Sequence, residues 1–236
     1  MYQYDVDIEQ EIDLRNEYLL VVKEILAAEK VEIWIGDTVQ DIFFATVILH
    51  LLARDEIDTS NFFIRTFDNE KVKWGLGVIR VEELGTLYMS STAKPVDTRL
   101  YADVWKAISQ GTGSEIDGFI AGHDSSNPIV RALSAYLLRL PEFNGGLGSI
   151  ERALLGAGTL EMKSSAYTVG AAMALGDPAN DNVGDLVLFQ KLVELSEVSP
   201  NPWFKLEGDT RNMRSCSAQI TDSGKQARTT YSVKLL

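Results

Sequence analysis

The chain has 236 residues, 45% hydrophobic and 24% charged, which suits a globular protein of one large or two small domains with no need of a staple. Its single cysteine, Cys216, excludes an internal disulfide framework, and two histidines without spaced partners exclude a zinc site. The net charge of −12 is uneven: residues 1–58 hold 14 acids against 4 bases, a balance that disfavours nucleic acid and anionic membrane as partners of that part.

The chain starts with MYQYDVDIEQE, acidic and without the apolar run of a signal peptide. No stretch approaches the roughly 20 apolar residues that span a bilayer. A cytoplasmic location is expected, with no membrane partner. Ile8, Ile12, Leu19, Val22 and Leu26 recur at helical steps and predict a leading helix over 5–29, capped by Asp5 or Asp7. Val31–Ile35 is a short apolar run that stops at Gly36-Asp37, and an apolar helix pattern over 38–54 follows directly. Strand, tight turn and helix open an α/β fold. The helix is apolar on most sides, which requires more than one packing neighbour. Phe62–Phe67 reads as the second strand, Asp68-Asn69 as a turn, and Val78–Val81 as a third strand.

Helical texture then takes over, at 82–92 and 97–110, broken by Gly111-Thr112-Gly113. Asn127-Pro128 supplies a cap and a first-turn proline for a helix to about Leu140. Ser149 is expected to cap the next helix, with Glu151 in its first turn and Gly156 and Gly158 at its end. Further helices are expected at 165–175 and 183–195. Residues 203–208 and 217–220 have strand composition around a polar, basic loop, GDTRNMRS. Thr221 then caps a last helix. The expected class is α/β, with a small, mostly parallel Rossmann-like sheet in residues 1–96. A helical part with a winged-helix-like end follows in 97–236.

Five pieces of the chain resemble, in order, the DUF1835-domain proteins, a bacterial family of unknown function often followed by a helical DUF3658-type segment. They are IWIGDTVQD at 33–41, DVWKAI at 103–108, NGGLGSIERALL at 144–155, ALGDP at 174–178 and ITDSGK at 220–225. The resemblance implies an α/β first part and a helical second part. It implies no activity.

In α/β folds ligands bind outside the carboxyl ends of the strands, so Gly36, Asp37, Thr38 and Asp41, with Thr66 and Asp68, are the candidate ligand-binding residues. The amides at a helix start attract anions, but an Asp37 cap would occupy them. Asp37 and Asp41, four apart, share a helix face and are the pair that could hold a hard cation such as Mg²⁺. Ordinary capping explains the same residues, and the cofactor is left unspecified. No G-x-G-x-x-G or G-x-S-x-G run marks a dinucleotide or nucleophile site.

His123, in GHDSS before Pro128, belongs to a polar turn, His50 to a contact between elements, and Cys216 to a buried core. Arg211, Arg214, Lys225 and Arg228 form a modest basic cluster around the wing. The helix ahead of that wing carries Asp185, Glu194 and Glu197 against Lys191, the wrong balance for a phosphate-facing helix, so duplex nucleic acid is not the expected partner. The leading reading is a non-catalytic binding or regulatory module, with room for a protein partner or a homo-oligomer. One alternative is an enzyme acting on a small phosphorylated or nucleotide-like ligand at Gly36–Asp41. The other is a nucleic-acid-associated regulator that uses the wing.

Overall fold

The computed structural model describes residues 16, 20–67, 75–110, 112–175 and 181–233. Helix α1 covers 20–27. The start of the leading helix with its Asp5 and Asp7 caps, and the Asp68-Asn69 turn, lie outside the described residues. Strand β1 (Val31–Ile35) leads into helix α2 (Val39–Arg54), then β2 (Phe62–Thr66). β1 and β2 are parallel, with Ile33 beside Ile64 and Trp34 beside Arg65. The third strand is not Val78–Val81. That stretch passes through a 3-10 turn and enters helix α3 (Val81–Met89), whose first-turn Glu82 and Glu83 complement the helix dipole. Strand β3 is Ala93–Pro95 instead, antiparallel to β2. Three residues with a proline carry no legible strand pattern, and Pro95 is tolerated because β3 is an edge. The sheet is therefore mixed, not mostly parallel.

Alternation gives this sheet two different faces. Val31, Ile33 and Ile35 with Phe62 and Ile64 pack on the buried side of α2, where Ile42, Ala45, Leu49 and Leu52 recur at helical spacing. On the other face Trp34 and Phe67 meet Leu87 of α3. Three more helices, α4 (Thr98–Ser109), α5 (Gly113–Ala121) and α6 (Pro128–Leu137), close over α2. Tyr101, Val104, Ile116, Phe119, Ile129 and Leu133 belong to the same apolar cluster as β1 and β2. This cluster draws residues from both sides of the boundary expected at 96/97. Helix α5 begins inside the glycine break expected to end a helix. A Cβ at Gly113 would lie 2.1 Å from Phe143, so glycine there serves close packing.

A second cluster starts at Leu147. Helices α7 (Ser149–Ala157), α8 (Ser165–Leu175), α9 (Asp185–Ser196) and α10 (Asp222–Thr230) surround a small antiparallel sheet of β4 (Lys163–Ser164), β5 (Phe204–Gly208) and β6 (Cys216–Ile220), in the order β4-β6-β5. Cys216 is 2% exposed within it. Gly148, not Ser149, is the N-cap of α7. A Cβ at Gly148 would lie 2.3 Å from the carbonyl oxygen of Arg139, so only glycine fits where the end of α6 passes. Ser149 is thereby turned into the first helical position, where its N–H donates to Leu138 O at 2.7 Å. Thr221 caps α10 as expected, accepting from the Gly224 N–H at 3.1 Å. Among the described residues no helix is long and apolar enough to cross a membrane.

Side-chain contacts add to that Ser149–Leu138 hydrogen bond in joining the clusters. Arg139, just past α6, donates Nε–H to Asp181 Oδ2 at 2.8 Å, and the Asp181 side chain is 1% exposed. Gln40, in the first turn of α2, donates to the carbonyl of Asn182 and accepts the Asn182 N–H.

Candidate functional site

The carboxyl end of β1 is the place to test first. Gly36 is buried and Asp37 half-buried. The cap of α2 is Thr38, fully buried and extended in backbone, whose Oγ1 accepts the Asp41 N–H at 3.2 Å. The Asp41 carboxylate reaches back to take the Gly36 N–H at 2.9 Å. Thr38 thus caps the N3 amide, and the Asp41 carboxylate, turned back onto Gly36, sets a negative charge where an anion would approach the helix start. The expectation that Asp37 caps the helix is thereby corrected. One residue decides it: the chain turns at Thr38, whose hydroxyl reaches the third amide on.

Asp37 instead pairs across to α6, where Arg131 Nε donates to it at 3.1 Å and Arg131 Nη1 donates to Ser126 O. Asp37 and Asp41 thus serve different partners. Among the described residues no group of three or more His, Cys, Asp and Glu side chains could hold a metal ion. Thr66 ends β2 beside Ile35 and is half-buried. Asp68 lies outside the described residues. The chain returns at Gly75, where a Cβ would stand 4.0 Å from Asp41 Oδ1. The structure therefore brings Gly36, Thr38 and Asp41 into one closed motif, with Asp37 beside it on Arg131.

On the other sheet face lies a charged network absent from the expectations. Arg65 is 6% exposed in the middle of β2. Its Nε donates to Glu32 at 2.8 Å, its Nη1 donates to Ser91 O at 2.6 Å, and its guanidinium stacks 4.0 Å over Tyr88. Glu32 also accepts from Lys30 and from Trp34 Nε1. The hydrogen bonds from Arg65 first, then from Lys30, hold the Glu32 carboxyl down at about 2. An arginine inside an apolar strand, FFIRTF, with an acid in the neighbouring strand was the available signal. The network fixes α3 and β3 on the sheet. Its donors point at protein acceptors.

The histidines are structural. His50 stacks on Trp105 with centroids 4.1 Å apart, joining α2 to α4. His123 lies over Phe119, its Nδ1 2.7 Å from Phe119 O, and Asp124 takes the Ser126 N–H at 2.7 Å, a polar turn ahead of α6.

The β5–β6 loop and α10 do not gather the four basic residues Arg211, Arg214, Lys225 and Arg228 into one cluster. Arg211 folds onto Asp209 at 3.0 Å, and Lys225 pairs with Asp222 one turn away. Arg228 turns inward, Nη2 donating to Gly158 O at 2.6 Å and to Leu155 O, and burial lowers its pKa. Arg214 is left exposed. Helix α9, ahead of β5, buries Leu188, Phe189, Leu192, Val193 and Leu195. Its solvent side shows Leu186 and Val187, 59% and 49% exposed, with Asp185, Gln190 and Glu194. Lys191 is shared between Glu194 at 2.7 Å and Glu151 at 3.5 Å. No family model matches the chain, and no curated protein or solved structure matches it either.

Proposed function

We propose that the chain is a non-catalytic binding module, with a Rossmann-like first part and a winged-helix-like second part used for protein contact. The observation that carries this reading is the solvent side of α9, apolar and acidic where a helix entering the major groove needs lysine and arginine. Supporting it, the carboxyl end of β1 spends its polar groups on capping α2 and on Arg131. Three of the four basic residues of the wing are engaged within the chain. Membership of the DUF1835 group and a cytoplasmic location belong to the same proposal and add no chemistry to it.

The test pairs two measurements. Anisotropy titration with random labelled duplex at physiological salt should give no retention below micromolar protein. A photo-crosslinking side chain placed at Val187 should yield discrete protein adducts in cells, absent when it is placed at the exposed Glu207 of β5. Sub-micromolar duplex binding that weakens steeply with salt would overturn the reading in favour of the wing as a nucleic-acid contact.

A further inference from the structure

Resting on that reading, we infer that the outer faces of α2 and α9 form one docking surface, and that its occupant is a basic amphipathic helix of a partner protein. Among the described residues helix α2 leaves a stripe uncovered: Gln40, Phe44 and Val47 stand at i, i+4 and i+7, with Phe44 59% and Val47 37% exposed. A phenylalanine that open, on a helix that buries Ile42 and Ala45 next to it, is an unpartnered apolar position. Helix α9 presents Leu186 and Val187 in its first turn. The start of α2 is tied to the segment that enters α9, because Gln40 is clasped to Asn182 by both the nitrogen and the oxygen of its side-chain amide. Phe44 lies one turn, about 6 Å of rise, from that clasp along α2, and Leu186 follows Asn182 by four residues. The neighbouring Arg139–Asp181 pair holds the same junction fixed, so both stripes are presented as a preformed pair.

Charge selects the occupant. Asp185 adjoins the apolar pair on α9, Glu194 follows Val187 by two turns on the same face, Glu197 caps the helix end, and Lys191 is the cation of that helix, already shared by two glutamates. An approaching lysine- or arginine-bearing helix gains attraction at this rim, and an acidic one is repelled. Leucine-type side chains at helical spacing on the same partner would fill the stripe between Phe44 and Leu186.

The probes are two fluorescein-labelled model helices of about 18 residues, roughly 27 Å long, one of leucine and lysine, the other of leucine and glutamate in the same pattern. The full chain should bind the lysine peptide, more weakly as salt rises, and not the glutamate peptide. Leu186→Ser and Phe44→Ser should each weaken binding about tenfold, and Glu194→Lys comparably, whereas Met89→Ser on α3 should leave it unchanged. Circular dichroism of each variant checks that it is folded. Equal binding by all variants, or no binding of the lysine peptide, overturns the proposal. So does concentration-dependent dimerisation abolished by Leu186→Ser, which would make the occupant a second copy. If the peptide fails while Val187 still crosslinks to a protein, only the partner class is wrong. Loss of both, with duplex retained, refutes the binding-module reading itself.

Discussion

Removing the Asp181 carboxylate should separate the two clusters energetically. Its side chain is 1% exposed and receives Arg139 through two guanidinium nitrogens, so Asp181→Leu strands a cation that had been paired. Breaking a buried pair by deleting one partner costs about 3–5 kcal/mol. Arg139 keeps 24% exposure and can turn partly to water, and its stacking on Tyr136 survives, which moves the expected cost to about 2–3 kcal/mol. Arg139→Met leaves the opposite orphan, a carboxylate with no water, and should cost the larger part of that range. The double variant Asp181→Leu/Arg139→Met removes both charges and should lie within about 1 kcal/mol of wild type. Urea unfolding of all four proteins, followed by far-UV circular dichroism and by tryptophan fluorescence, closes the cycle. A coupling energy of at least about 1.5 kcal/mol is expected. Single variants that cost under about 0.5 kcal/mol, or a double variant that costs the sum of the two, would refute the assignment of this pair as the tie between the clusters.

Three further outcomes are expected. Thr38→Ala should destabilise by about 1 kcal/mol in urea unfolding, and Asp37→Ala, which loses a half-exposed ion pair, by less than about 1 kcal/mol; the reverse order would restore Asp37 as the cap. Gly224→Ala should lower the melting temperature although alanine is the better helix former by about 1 kcal/mol, because its Cβ would sit 2.3 Å from Trp203 O and 2.7 Å from Ile220 Cγ1. Gly170→Ala, where a Cβ meets nothing, should raise it. Glu32 titrates at about 2 against an ordinary 4.5, a depressed value, so its pairing stabilises the fold fully above the ordinary pKa and is lost as pH falls from about 4.5 towards 2. The gap in urea midpoint between wild type and Glu32→Gln should therefore be wide near neutral pH and close across that window; a gap independent of pH would dissociate Glu32 from Arg65.

Elements with strong periodicity were legible from residues alone. β1 and α2 carry a clean apolar run and a helix stripe, and Asn127-Pro128 and Thr221 mark helix starts that the backbone obeys. What failed depended on contacts distant in sequence. Ser149 has the ideal composition of a cap, yet Arg139 O forbids any side chain at Gly148 and shifts the start by one residue. β3 is too short to show alternation and exists because β2 offers it an edge. Helix α5 hid behind Gly113, whose reason is Phe143, thirty residues on. At the carboxyl end of β1 the residue types were read correctly and their order of use was not, since Asp37 and Thr38 are both good caps and tertiary pairing with Arg131 decides between them. The α2–α9 surface was invisible, because nothing in the sequence places Gln40 beside Asn182.

The two small sheets have a bearing on solubility. Among the described residues four strand edges are left without a ladder partner in the sheet orders. β4 is two residues long, β3 is three with a proline, and β5 carries Lys205 and Glu207 and ends on Gly208, whose φ of 105° turns the chain away. Short length, proline, charge and a terminal twist are the usual guards against edge-to-edge growth. β1 has none of them: VEIWI is five residues, mostly β-branched or aromatic, and its one charge is drawn to Arg65 on the α3 face. If the first cluster loosens, this pentapeptide is the segment through which copies would add to one another as cross-β ladders. Arg65 is the side chain that ties this edge to α3, and its release would free α3 and leave Glu32 to Lys30 and Trp34.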